Sequence, residues 1–118
     1  MSLQLYQYKA FVTQVYDGDT CTVDIDLGLS TWVRGEKIRL ARIDAPEVRG
    51  DQKAEGIRAR DFLQQLILDK EIRLETIKDK KGKYGRYLGE IWLQNESFEW
   101  FNVNDYLVQN GYAEYHEY

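Results

Sequence analysis

Residues 59–67 of this 118-residue chain read ARDFLQQLI. The apolar residues of this segment fall at positions i, i+3, i+4, i+7 and i+8, which places them in an unbroken stripe along one side of an α-helix. They are Ala59, Phe62, Leu63, Leu66 and Ile67. The segments before and after it alternate like β-strands, so the sequence predicts one amphipathic helix inserted into a series of strands.

Three predicted strands precede this helix and two follow it. Alternation of apolar and polar residues, with many β-branched and aromatic side chains, indicates strands at residues 6–16, 20–27, 37–43, 71–77 and 87–93. The dipeptide Asp17-Gly18 is typical of tight hairpin turns and joins the first two strands. Residues 28–37 are interpreted as a connection, or as a longer hairpin.

A second, short helix is predicted near residues 103–110, where Asn102 can cap the first turn and Gly111 ends the helix. Five strands with a helix between the third and the fourth follow the order of an OB-type barrel. We therefore expect an α+β fold that is mainly β: a five-stranded OB-type β-barrel with two helices. The length predicts a single domain over residues 1–118.

The composition argues against several kinds of chemistry. Cys21 is the only cysteine and His116 the only histidine, so we expect neither an intrachain disulfide, nor a histidine zinc site, nor a catalytic triad. The net charge is −4, yet residues 34–86 hold fifteen of the sixteen basic residues against ten acidic ones. An acidic chain of this kind can still present a positive face to phosphate.

Targeting and membrane signals are not visible in the sequence. Residues 1–12 lack the basic start and apolar block of a signal peptide, and no stretch is long and apolar enough to cross a membrane. We expect a monomer without a membrane partner. The compartment stays open: the protein is cytoplasmic, or it is exported with a signal that lies outside this chain.

Three short segments carry side chains suited to cutting a phosphodiester: DGDT at residues 17–20, RLARIDAPE at 39–47 and KYGR at 83–86. Taken singly, each is typical of an ordinary turn or loop. Taken together, they supply a metal site, because Asp19 and Asp44 are hard oxygen ligands suited to Ca²⁺ or Mg²⁺. A carbonyl in the turn after Asp44 could add another ligand.

The same segments also supply groups for the reaction itself. Glu47 lies three residues beyond Asp44 and could reach a water near the metal, as a general base or simply to orient that water. Arg39 and Arg86 offer planar donor forks that match the oxygens of a phosphate, where charge builds in the transition state.

With these motifs in this order, the chain resembles the staphylococcal nuclease (thermonuclease) family. The resemblance spans about residues 12–113 and includes DGDT, R-L-x-x-I-D-A-P-E, the amphipathic helix, Y-G-R and N-D-x-L-V-x-x-G-x-A. It implies a five-stranded OB-type barrel and an enzyme that hydrolyses DNA and RNA with Ca²⁺. In such an enzyme water attacks phosphorus and the 5′-oxygen leaves, so the products carry 3′-phosphate ends.

By position, the resemblance implies roles for eight residues, which form three groups. The implied Ca²⁺ ligands are Asp19, Asp44 and the backbone carbonyl of Ala45. The implied catalytic residues are the two phosphate-binding arginines and the residue that activates or positions the water, Arg39, Arg86 and Glu47. The implied substrate-binding residues, beside the terminal phosphate of the nucleotide, are Lys83 and Tyr84.

The sequence also departs from the family pattern. Ala45 stands where the best-known member has threonine, a change that a backbone ligand tolerates. The connection at residues 28–37 looks longer and the loop after Glu47 shorter, and both border the cleft. A tyrosine that flanks the base in the family is not assigned here, and its candidates are Tyr112, Tyr115 and Tyr118.

Two alternatives to an enzyme stay open. A catalytically silent module could use the same barrel to bind nucleic acid or a protein, although the intact acids and arginines count against it. A generic OB-fold binder of single strands would use aromatic stacking. The aromatic residues of this chain, however, are spread through apolar patterns that suit a core.

Overall fold

The computed structural model describes residues 5–117, with the backbone alone described at residues 78–80. Two helices lie in this part of the chain, α1 (Lys53–Ile67) and α2 (Val103–Gln109), and a single 3₁₀ turn at Gly50–Gln52 leads into α1. The strands are β1 (Gln7–Asp17), β2 (Thr20–Gly28), β3 (Thr31–Leu40), β4 (Ile43–Asp44), β5 (Glu71–Lys81), β6 (Tyr87–Gln94), β7 (Trp100–Asn102) and β8 (Glu114–Tyr115).

Five of these strands close a barrel. Antiparallel pairing joins β3 to β2, β2 to β1, β1 to β5 and β5 to β6, and parallel pairing of β3 with β6 completes the ring. Strand β7 extends the sheet beyond β6, while β4 and β8 form a separate two-stranded sheet. The predicted five-stranded OB-type barrel, with α1 inserted between its third and fourth strands, is confirmed.

The interior of the barrel is filled by aliphatic side chains that alternate along its strands. Those with no measurable exposure include Val12, Val23, Ile38, Leu74 and Ile91. The stripe of α1 covers one end of the barrel through Ala59, Leu63 and Ile67, all fully buried. The apolar stripe that predicted the helix is therefore the side of α1 that packs against the barrel.

Helix α2 is attached to the barrel through a buried amide. Asn104 is fully buried; its Oδ1 accepts a hydrogen bond from the Ile91 N–H at 3.2 Å, and its Nδ2 donates to the carbonyls of Ala41 and Gly89, each at 3.0 Å. The predicted cap is confirmed, because the Asn102 side chain accepts from the N–H of the third helical residue at 2.8 Å. Neither helix of residues 5–117 has the length and apolar character of a membrane span.

The structure corrects the predicted limits of the third strand at both ends. Residues 28–37 form a longer hairpin rather than an irregular connection, since β3 begins at Thr31 after a turn at Leu29 and Ser30. At the other end, Arg42 has a φ of +68°. Because this left-handed conformation interrupts the strand, Ile43–Asp44 forms a short strand that pairs with β8 instead.

Candidate active site

Contacts within the protein hold the turn between β1 and β2 in place. The Asp17 carboxylate accepts a hydrogen bond from the Asp19 N–H at 3.0 Å. A Cβ at Gly18 would lie 2.8 Å from the Cβ atoms of Ala45 and Ala59, so only glycine lets the turn pack this closely against the loop after β4 and against α1. The turn therefore places Asp19 beside that loop.

The Asp19 carboxylate is buried, with 5% of the residue exposed. Its Oδ2 accepts the Ala45 N–H at 2.8 Å and its Oδ1 accepts the Thr20 hydroxyl at 3.2 Å. Burial raises the pKa of Asp19 to about 6, and the hydrogen bond and charge of Asp17 act in the same direction; the charge of Arg39 and the Ala45 N–H oppose them. The orientation of the carboxylate is thus fixed, while its negative charge is only partly compensated.

Arg39 joins the two aspartates that the sequence singled out. Its Nη2 lies 3.3 Å from Asp19 Oδ2 and 3.2 Å from Asp44 Oδ1, and its Nη1 donates to the Leu40 carbonyl at 2.9 Å. The Arg39 side chain is only 12% exposed, whereas that of Asp44 is 62% exposed. The cluster of Asp19, Arg39 and Asp44 is therefore buried on the Asp19 side and open to solvent on the Asp44 side.

The donor set of this cluster fits a hard divalent cation. Two carboxylates, one after the β1–β2 turn and one at the end of β4, already converge on one cationic group, and carboxylate and carbonyl oxygens are the ligands that Ca²⁺ and Mg²⁺ prefer. Among the described side chains, which leave out those of residues 78–80, no three histidine, cysteine, aspartate or glutamate residues come together as a metal site. The other ligands of a bound ion would therefore be backbone carbonyls and water. Ala45 presents its N–H to Asp19, and its carbonyl stays a predicted ligand.

Glu47 lies on the exposed loop between β4 and α1. Its carboxylate forms no hydrogen bond or ion pair with another residue of the described part of the chain, so it is accessible to water. Its backbone is less free, because the carbonyl of Glu47 lies directly against Gly56 in α1, where a Cβ would collide with it. Helix α1 thus determines how close this loop approaches the barrel.

The predicted substrate-binding residues lie on the turn between β5 and β6. The Arg86 guanidinium is 5.4 Å from the centre of the Tyr84 ring, the Lys83 ammonium is 5.6 Å from the same ring, and Tyr84 is 72% exposed. Arg86 and Tyr84 line a cleft of about 510 Å³ with Asp17 and Thr20. The structure therefore brings this turn to the side of the β1–β2 turn, although Arg86 makes no ion pair with either aspartate of the cluster.

The three candidate tyrosines differ in their surroundings. Tyr112 stacks on Phe62, with ring centres 4.2 Å apart, and lines a cleft of about 200 Å³ with Asp44. The Tyr115 hydroxyl donates to Asp105 at 2.9 Å. Tyr118 lies outside the described residues. Tyr112 is thus the described candidate that shares a cleft with Asp44.

Sequence reasoning gave no role to Arg42, which the structure places behind the site. The Arg42 guanidinium binds Glu90 and also donates to Asp105 Oδ1 at 3.0 Å. Partial burial opposes ionisation of Asp105, yet the hydrogen bonds from Arg42 and Tyr115 hold its pKa below the usual value. Tyr115 lies opposite Ile43 in the β4–β8 pair, so these contacts fasten the strand that carries Asp44. The sequence signal that could have pointed to Arg42 was its position as a charged residue inside a predicted strand.

Comparison with known proteins identifies a family. The family model described as Staphylococcal nuclease homologue matches residues 37–118. The thermonucleases of Staphylococcus hyicus and Staphylococcus intermedius are 33% and 34% identical over 105 residues, which cover 86% of this chain and 56% of each relative. An uncharacterized endonuclease of Haemophilus influenzae is 32% identical over 102 residues, which cover 86% of this chain and 49% of the relative.

The chain thus spans about half the length of the curated relatives that it matches. The matched region contains the end of β3 with Arg39, strand β4 with Asp44, the loop with Glu47, α1 and the turn with Arg86, and it extends through α2. Since the family model covers more than half of the chain and the barrel has the expected topology, this protein belongs to the staphylococcal nuclease homologue family.

Proposed function

We propose that this protein is a Ca²⁺-dependent nuclease that hydrolyses phosphodiester bonds of DNA, RNA or both. The observation that carries the proposal is the convergence of Asp19 and Asp44 on Arg39, within 3.3 Å, beside the cleft that holds Arg86. Relatives named thermonuclease and endonuclease support it.

The two arginines bind the phosphate that is cut. Arg39 is nearly buried, so its attraction for the charge that develops on the phosphate oxygens is weakly screened by water. Arg86 reaches the phosphate from the opposite turn, and its planar guanidinium can donate two parallel hydrogen bonds. Lys83 and Tyr84, on the same turn, hold a terminal phosphate of the nucleotide.

Glu47 acts on the attacking water, as a general base or by orienting it. Its exposed carboxylate can accept a hydrogen bond from that water without first breaking an ion pair. Water adds to phosphorus and loses a proton, the bond from phosphorus to the 5′-oxygen breaks, and the leaving oxygen takes up a proton. The products are a 3′-phosphate and a 5′-hydroxyl.

Asp19, Asp44 and the Ala45 carbonyl would hold the Ca²⁺ ion. When bound, the ion would supply positive charge to the phosphate oxygens. Asp19 is already oriented for this role by the Ala45 N–H and the Thr20 hydroxyl. Its partly compensated charge favours a cation in the site.

The decisive assay incubates the protein with denatured DNA and with RNA, in Ca²⁺, in Mg²⁺ or in chelator. Cleavage in Ca²⁺ and none in chelator supports the proposal. If no strand is cut but nucleic acid is retained, the protein is a silent binding module. Light scattering on the same preparation tests the predicted monomer.

Variants then test the residues. Arg86→Ala and Arg39→Ala are each expected to lower the rate by about 10²–10³. Arg60→Ala is the matched control, because Arg60 pairs with Asp61 on the surface of α1. Normal cleavage by a folded double variant, Glu47→Ala with Arg86→Ala, would overturn the assignment.

A further inference from the structure

We propose that the cleft lined by Tyr16, Lys37 and Tyr84 is a second nucleotide subsite, which binds the neighbouring nucleotide of a single-stranded substrate next to the scissile phosphate. The inference rests on the proposed function, since it extends the path of the same strand. The cleft has a volume of about 510 Å³ and is shared with Arg86. This size lies within the range of roughly 300–1,000 Å³ that small-molecule sites occupy.

Strand β3 carries two cations in a row, Lys37 in the wall of this cleft and Arg39 beside it, in contact with Asp19. Lys37 and Arg39 are two residues apart on one strand, so they point to the same face with Cα atoms about 6.6 Å apart. In the β2–β3 ladder they lie opposite Thr22 and Thr20. This spacing is comparable to the distance between neighbouring phosphates of an extended nucleic-acid strand. With Arg39 on the scissile phosphate, Lys37 is in place for the next one.

The Lys37 ammonium is available for a phosphate. The residue is exposed, and its side chain forms no ion pair within the described part of the chain. The lining contains two cations, Lys37 and Arg86, and one carboxylate, that of Asp17. Two positive charges against one negative leave the cleft positive in a chain whose net charge is −4. Phosphate is the ligand that this charge favours.

Tyr16 supplies an aromatic face to the same cleft. The register between β1 and β2 shifts between Val15 and Asp17, so Tyr16 is the extra residue of a β-bulge. Bulges re-aim side chains and are frequent beside active sites. Tyr16 is 52% exposed, so its ring can stack with a base. A phosphate on Lys37 and a base on a tyrosine make up one nucleotide.

The test measures binding of a labelled oligothymidylate of eight nucleotides in chelator, where cleavage does not interfere, and of a dinucleoside monophosphate, which has a single phosphate. Lys37→Gln is expected to weaken binding of the octanucleotide and to reduce the slope of log Kd against log salt by about 0.7. Tyr16→Ala is expected to weaken it about tenfold, while Tyr16→Phe retains the stacking face. Binding of the dinucleotide stays unchanged in all three variants.

Lys70→Gln is the matched control, because Lys70 is exposed and lies outside the cleft. Melting curves identify folded variants, and Tyr16→Leu replaces Tyr16→Ala if the latter fails to fold. The proposal is overturned if the wild type does not bind the octanucleotide, if Lys37→Gln and Tyr16→Ala bind it normally, or if they weaken both ligands equally.

A parallel cleavage assay in Ca²⁺ separates this inference from the proposed function. If the wild type cuts nothing, but Lys37→Gln still weakens binding of the octanucleotide and not of the dinucleotide, the nuclease is refuted and the subsite is supported. A wild type that cuts the octanucleotide as fast as its Lys37→Gln and Tyr16→Ala variants supports the nuclease and refutes the subsite.

Discussion

Arg42 and Glu90 form a two-pronged ion pair behind the candidate site. Arg42 Nη2 lies 2.7 Å from Glu90 Oε1 and Arg42 Nε lies 2.9 Å from Glu90 Oε2. Glu90 is 8% exposed, and its Oε1 also accepts the Asn102 amide at 2.9 Å. The pair fastens the residue before β4 to the barrel strand β6. Because β4 carries Asp44, this contact bears on the geometry of the cluster.

Arg42→Met should destabilise the fold, since it leaves the buried Glu90 carboxylate without its cation. Half of the Arg42 side chain is exposed, so we expect a loss of about 2 kcal/mol in the free energy of unfolding, less than for a fully buried pair. Urea denaturation measures it. Arg60→Met is the control, because its exposed pair with Asp61 should cost less than about 0.5 kcal/mol. Equal losses in the two variants would contradict a structural role of the pair.

The barrel and its helices could be predicted because each depends on local periodicity. The stripe of α1 and the alternation of the strands indicate which side of each element is apolar, and in the fold that side packs into the core. The β2–β3 hairpin was less visible because its turn residues, Leu29 and Ser30, have φ values of +55° and +61°. Such turns usually carry asparagine or glycine at these two positions, so the turn signal of the sequence was limited to the preceding Gly28.

The candidate site was only partly predictable for a related reason. Alternation and turn signals place Asp19 and Asp44 at the ends of strands, but they do not say which side chains meet across the fold. The bridge made by Arg39 depends on the β2–β3 pairing, which sets Arg39 opposite Thr20, and Arg42 reaches a partner 48 residues away. Contacts of this kind arise from tertiary packing, which a single sequence does not display.

Asp19 should link stability to pH when no metal is bound. Its pKa is about 6 in the folded protein, against an ordinary value of 3.8. Between about pH 4 and 6 the folded state keeps a proton that the unfolded state releases. The stability that Asp19 contributes is therefore complete below about pH 4 and lost as the pH rises through 6.

In chelator, the wild type should lose up to about 3 kcal/mol relative to Asp19→Asn between pH 4 and pH 7. Urea denaturation across this range measures the difference, and Asp61→Asn, on the exposed side of α1, controls for the loss of one carboxylate. Ca²⁺ at pH 7 should stabilise the wild type and leave Asp19→Asn unchanged. Parallel pH profiles of the wild type and Asp19→Asn would show that Asp19 is not the responsible group.

Cys21 should be chemically silent in the folded protein. The residue is 1% exposed in β2, and burial raises the pKa of its thiol to about 12, with the charge of Asp17 adding to the effect. At pH 8 it should react with an aromatic disulfide at least about a thousandfold more slowly than in denaturant, because reaction requires unfolding. Thr13→Cys in a Cys21→Ala background places a thiol on the exposed side of β1 and should react rapidly. Fast modification of folded wild type would contradict the buried placement.

Gly56 controls the position of Glu47 through the backbone. It is a buried residue of α1 that lies against the Glu47 carbonyl, and a methyl group there would collide with the Glu47 backbone. Gly56→Ala raises helix propensity by about 1 kcal/mol, so propensity alone predicts a more stable protein. Packing predicts the reverse, because the loop after β4 must move away from α1. If Glu47 positions the attacking water, this displacement should lower kcat/KM by about tenfold or more.

Ala54→Gly separates this displacement from a general weakening of α1. Ala54 is exposed on the same helix, so its replacement should lower stability by up to about 1 kcal/mol and leave kcat/KM unchanged. Cleavage rates and melting temperatures of both variants, measured under the same conditions, give the comparison. A Gly56→Ala protein that melts at a lower temperature but cleaves as fast as Ala54→Gly would show that the position of Glu47 does not limit the reaction. Loss of activity in Gly56→Ala alone would support a role of Glu47 in the reaction.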